Sequence, residues 1–204
     1  MKKSLWLIAL LVGLGTAVFA QQAKKGIAPE GGGADDRGSA RVLYWNLDAN
    51  AAAGQFAINY GRPVWKKAYE DPANFDKMTK GQVWRMGSNF WTELQTDLPL
   101  KIGGKTVSPG LYYLGLHRSA DGSNWSLAFI DPAKVRAAHL DAFNIRKAPI
   151  WFEAPVTFKK ADNSMAEKLT IRMIYKKENM RHVKMELRWG NMEVTAPIEV
   201  TLAE

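Results

Sequence analysis

Polar and apolar residues alternate along much of this chain. Between residues 181 and 189, Val183, Met185, Leu187 and Trp189 interleave with His182, Lys184, Glu186 and Arg188. A period of two places these sets on opposite faces and predicts a half-buried strand with one wet side. Residues 192–202 repeat the pattern, and Gly190-Asn191 between the two runs predicts a tight hairpin. Pro197 has no N–H to give a ladder, so the last strand is expected to be an edge there.

Similar alternation marks residues 55–60, 92–98, 125–129, 152–158 and 169–175. Turn chemistry separates several of them: Gly103-Gly104, Pro109-Gly110, Asp121-Gly122 and Asp162-Asn163. One short helix is expected, with Asp131 as its cap, Pro132 in its first turn and 133–140 following. Many short strands with turns between them predict an all-β fold: a single antiparallel β-sandwich or barrel-like domain with one short helix.

The two ends of the pattern differ from the rest. Lys2 and Lys3 precede the apolar run 5–18, and Val18-Phe19-Ala20 ends it, which is the layout of a cleaved signal peptide over residues 1–20. Residues 21–41 carry no periodicity and three consecutive glycines, so they read as a flexible linker. The folded domain is expected over 42–204, with no membrane span after cleavage and a periplasmic or secreted location.

Two of the 28 basic residues fall in the leader and none of the 20 acidic ones, leaving a net charge of 26 − 20 = +6. With no cysteine, neither a disulfide nor a cysteine-linked lipid is available. A basic exported protein is suited to an anionic or carbohydrate component of the envelope. No basic cluster or nucleic-acid module is present, so nucleic acid is not an expected partner.

The search for reaction chemistry returns no catalytic residue, cofactor or metal site. G-x-S-x-G, H-E-x-x-H and phosphate-binding glycine loops are missing, and His117, His139 and His182 are far apart in the chain. Trp125 and Trp189 sit on apolar strand faces and read as core. Trp65, Trp91 and Trp151 fall off their local register or in loops and are the better candidates for exposure, with core packing favoured over a ligand platform. One polar constellation stands out: Asn59-Tyr60-Gly61-Arg62-Pro63 with Trp84-Arg85-Met86-Gly87-Ser88-Asn89. Each places an arginine beside glycine at a strand end, where a planar fork either braces loops or binds a ligand's carboxylate or phosphate.

The stretches INYGRP (58–63), GQVWRMGSN (81–89), LKIGGKTVSPGLYYL (100–114) and RWGNMEVTAPIEV (188–200) resemble the domain of unknown function family 2911 (DUF2911). That resemblance implies an exported bacterial β domain and supplies no reaction. By position it carries over Tyr60, Arg62, Pro63, Trp84, Arg85, Gly87, Asn89 and Thr92. The pattern departs after Asn89: the family commonly has an acidic residue then a small one, where this chain has Phe90-Trp91. Glu93 is the nearest acid that could replace it.

These observations point to a non-enzymatic binding or envelope-associated module, with Tyr60, Arg62, Trp84, Arg85, Asn89 and Glu93 as candidate ligand-binding residues. Two alternatives stay open: a periplasmic hydrolase with a site near Arg62, Arg85, Asn89 and Glu93, and a structural component of a surface assembly.

Overall fold

The computed structural model describes residues 26–29, 32–161 and 164–202. The chain divides into two units, residues 1–34 and 35–204. The described part of the first contains no helix or strand. The signal-peptide expectation and the start of the expected linker fall outside the described residues.

The second unit is one antiparallel sheet of twelve strands. They are β1 (Arg37–Asn46), β2 (Ala51–Gly61), β3 (Gln82–Trp84), β4 (Thr92–Thr96), β5 (Leu100–Ile102) and β6 (Lys105–Val107). β7 (Gly110–Arg118), β8 (Trp125–Ile130), β9 (Ile150–Lys160), β10 (Ala166–Tyr175), β11 (His182–Gly190) and β12 (Met192–Val200) follow. The main path runs β1-β2-β4-β7-β8-β9-β12-β11-β10.

The sheet then closes on itself. Just past β2, Val64 bridges Lys168 of β10. Trp65 N donates to Glu167 O at 2.7 Å and Leu169 N to Pro63 O at 3.1 Å. This short pairing covers the start of β10 and ties it to the segment after β2. The inward faces, including Phe56, Ile58, Leu94, Leu114, Leu127, Phe129, Leu169, Leu187 and Val194, form the main core. This is an all-β, barrel-like domain.

α1 (Pro72–Thr79) and α2 (Pro132–Ala137) begin alike: Asp71 and Asp131 each accept a hydrogen bond from the backbone N–H two residues on, ahead of a proline. α2 is the expected helix. α1 is a second helix beyond the one expected, and Asp71-Pro72 carries the same capping signal. A smaller outer cluster packs Val83, Trp91, Ala128 and Ile130 under Val135, Ala142, Ile145 and Ala148. The segment 131–148 therefore covers the outer face of β7 and β8.

Two expectations need correction. β1 starts at Arg37, five residues before the expected boundary at Val42, because its backbone pairs with β2 (Arg37 with Gly61, Arg41 with Ala57) without needing apolar side chains. β12 is interior, not an edge at Pro197. It lies between β11 on one side and β9 and β5 on the other. Pro197 falls between the stretches paired with β9 and β5, so no ladder bond requires its N–H. Of the three tryptophans that were the better candidates for exposure, only Trp151 is exposed, at 56 %, and the favoured core reading holds for Trp65 and Trp91. Trp91 is 8 % exposed and stacks on Tyr113 at 4.6 Å, because the outer layer covers it. Trp65 packs edge-on against Trp189 at 5.0 Å. Trp45, which was not singled out, is 50 % exposed.

Candidate functional site

The polar residues of the sequence-based constellation gather at the corner where the sheet closes, and most of their bonds hold that corner together. The Tyr60 hydroxyl is buried; it accepts from Ile171 N at 2.8 Å and donates to Ile171 O at 3.3 Å. Trp84 stacks on Trp189 at 4.9 Å and 11°. Arg62 faces Asp36 at 3.6 Å, and Asp36 also accepts from Lys168 at 2.7 Å. The Lys168 hydrogen bond is the largest of the influences that hold the Asp36 carboxyl below its ordinary value. Asn89, at φ 61°, donates to Asp35 at 2.5 Å.

Arg85 is placed differently. Its Nη1 donates to Asn89 O at 2.9 Å, and its guanidinium lies over the Phe143 ring at 4.3 Å. It lines a recess with Trp84, Gly87, Ala142, Phe143 and Arg146 that contains neither Arg62 nor Glu93. Glu93 lies on β4 between Asn59 of β2 and Tyr113 of β7. Arg62, Arg85, Asn89 and Glu93 thus share a region without lining one cavity.

A second cluster was not anticipated. On β7, β8 and β9, His117, Ser126 and Glu153 sit on the outer face of neighbouring strands. His117 is directly opposite Ser126, and Glu153 is opposite Ala128, one diagonal step away. The Glu153 carboxylate holds both neighbours: His117 Nδ1 at 2.8 Å and the Ser126 hydroxyl, which donates at 2.5 Å. The carboxylate fixes the ring and, when the neutral ring donates from Nδ1, leaves Nε2 as an acceptor. Ser126 donates to Glu153 and not to the imidazole, so this is not the relay of a serine nucleophile.

The cluster opens on a cavity of about 540 Å³. Its rim is the 119–124 turn, and its wall includes Trp125 and Phe158, stacked at 4.7 Å and 9°. Arg118 also lines it, but its guanidinium is occupied by Asp76 at 2.5 Å, Thr79 at 3.2 Å and Gly122 O at 2.9 Å. In the rim, Ser119 donates to Asp121 at 2.5 Å, and the Ser123 N–H and hydroxyl donate at 3.0 and 2.8 Å. These bonds, the Ser119 hydroxyl first, lower the Asp121 carboxyl to about 2.

A depressed folded value means that the stabilisation is present above the ordinary carboxylate value and is lost as pH falls through about 2. An NMR titration of the Asp121 carboxyl carbon is expected to give a midpoint near 2 in the parent, rising toward 3.8 in Ser119→Ala. Equal midpoints in the two proteins would count against the rim geometry.

Among the described residues, no three His, Asp or Glu side chains gather as a metal site, and no helix is long and apolar enough to cross a membrane.

Fold and site together define a closed antiparallel β domain with a polar, aromatic-walled cavity on its flank. A family model described as a protein of unknown function (DUF2911) matches residues 45–198, and the chain belongs to that family. No curated protein and no solved structure matches it.

Proposed function

We propose that this protein is an exported binding module whose flank cavity takes a neutral, hydroxyl-rich ligand of the saccharide class. Export rests on the layout of residues 1–20, with Lys2 and Lys3 before an apolar run that ends at Val18-Phe19-Ala20. A periplasmic or secreted location follows from it.

The observation that carries the ligand reading is the Glu153 carboxylate holding His117 and Ser126 side by side in a cavity walled by Trp125 and Phe158. A hydroxyl both donates and accepts, so it can use the remaining carboxylate lone pairs and a ring nitrogen together. Trp125 is covered by Phe158 and by the Arg118 guanidinium at 5.3 Å, so the aromatic pair makes part of the wall apolar without presenting Trp125 as an open stacking face. Arg118 is paired with Asp76, which leaves no free arginine or lysine for an acidic ligand among the described residues that line the cavity.

Titration with glucose, N-acetylglucosamine and maltose, followed by amide NMR, is the test. At least one sugar is expected to give saturable shifts centred on Asn124, Ser126 and Glu153. Glu153→Gln should weaken it about tenfold, the effect of losing a hydrogen bond to a charged group. Shifts scattered over the surface, or equal affinity in the variant, would reject the assignment.

A further inference from the structure

Arg85 is a half-buried cation that no carboxylate among the described residues pairs with. Among the described residues no acidic group lies within ion-pair distance of it, whereas Arg62, Arg118 and Arg172 each have one. Its single hydrogen bond, from Nη1 to Asn89 O, leaves the other guanidinium nitrogens without a partner among those residues. Burial pushes its pKa down, with Asp141 acting more weakly in the opposite direction. A protein group in that condition gains from an incoming anion.

The surroundings are shaped for one. The recess holds about 270 Å³, and Arg146 brings a second positive charge to it. Phe143 is 72 % exposed and backs the Arg85 guanidinium with its ring. The turn that carries it is held by Asp141, which accepts from the backbone and side chain of Asn144 at 3.0 and 2.9 Å. Stacking on Phe143 leaves the in-plane donors as the available edge of the fork, the geometry that matches a planar carboxylate.

We propose that the recess between the loop after β3 and the 142–147 turn binds a small carboxylate borne on a ring, held by Arg85 and Arg146 against Phe143. This site is separate from the cavity at Glu153 and does not depend on the saccharide reading.

The probes are benzoate and glucuronate, with glucose and inorganic phosphate as controls, each titrated into the full domain and followed by NMR. Saturable shifts at Ala142, Phe143 and Arg85 are expected with at least one carboxylate and not with glucose; which one binds separates an aromatic acid from a sugar acid. Arg85→Gln should weaken that binding at least about tenfold and Arg85→Lys by less, since the ammonium keeps charge but lacks the fork. Arg146→Gln, at an exposed position, should weaken it about two- to fivefold, and raising salt should weaken it in the parent. If Arg85→Gln does not fold, the Arg146 variant and the salt dependence decide alone. Indifference to Arg146 and salt, phosphate binding at least as tightly as either carboxylate, or no saturable shift at millimolar probe would each overturn the proposal.

Discussion

Trp189→Ala is expected to lower the free energy of unfolding by about 3–5 kcal/mol, the range for emptying a buried tryptophan site. Trp189 is 2 % exposed and forms the centre of an aromatic group. Trp84 stacks on it, Trp65 meets it edge-on at 5.0 Å, and Tyr69 lies at 5.3 Å. Its indole N–H donates to Pro63 O at 2.8 Å, the same carbonyl that accepts Leu169 N where β10 meets the segment after β2. The truncation therefore opens a void and removes a bond at the point where the sheet closes. Collapse into the void is restricted, because Trp65 is already in close contact with Gly190. Urea denaturation measures the loss. Trp189→Phe should recover most of the packing but not the hydrogen bond, leaving a deficit of about 1 kcal/mol or more. A loss below about 1 kcal/mol in the alanine variant would mean that this cluster does not hold the closure.

The role of Trp189 was legible because its strand shows the two-residue period plainly, as do β10 and β12. Such a pattern reports one buried face and one wet face. Where a second layer covers the wet face, as 131–148 does over β7 and β8, the pattern misleads. Trp91 falls off the inward register and is buried all the same, in the outer cluster. β1 has the opposite problem: between Arg37 and Arg41 only Ala40 carries an apolar side chain, so the backbone pairing leaves almost no trace in side-chain chemistry.

The polar cluster was half legible. The Asp121-Gly122 turn, recognised from its residues, centres a hairpin that sets His117 opposite Ser126. Extending that register would have shown that His117 has a polar neighbour. Glu153 could not be placed in the same way, because the 131–148 excursion separates β8 from β9 and no local rule gives the register across it. The arginines show a different limit. Arg62 and Arg85 have matching sequence surroundings, a glycine and a turn at a strand end, yet among the described residues one finds Asp36 and the other finds no acidic partner. The difference comes from Asp36, a residue just before β1 in a stretch that had been read as linker.

Gly61→Ala is expected to cost about 1–3 kcal/mol, the usual range for overpacking, and to abolish carboxylate binding at Arg85 while sparing the Glu153 cavity. A Cβ on Gly61 would overlap the backbone carbonyl of Ser88 and stand 2.6 Å from its Oγ and 2.8 Å from its N. Backbone cannot rotate out of the way as a side chain can. The loop has little slack, since Met86 and Asn89 flank this contact at φ 29° and 61°, which non-glycine residues rarely adopt. Relief must come from moving the loop as a body, and that loop carries both Arg85 and the Asn89 carbonyl holding its Nη1. The fork is then misaligned with the recess even in molecules that fold. His117, Ser126 and Glu153 are fixed by the β7–β9 ladder and keep their register. Thermal unfolding gives the stability term, and NMR titration with benzoate, glucuronate and maltose reports on both sites in one sample. Adding Ser88→Ala is the internal control. It removes the hydroxyl contact but not the carbonyl, so less than half of the lost stability should return. Full recovery in the double variant would show that the side chain, not the backbone, sets the fit at Gly61. Parent-like carboxylate binding in Gly61→Ala would show that the loop does not position Arg85.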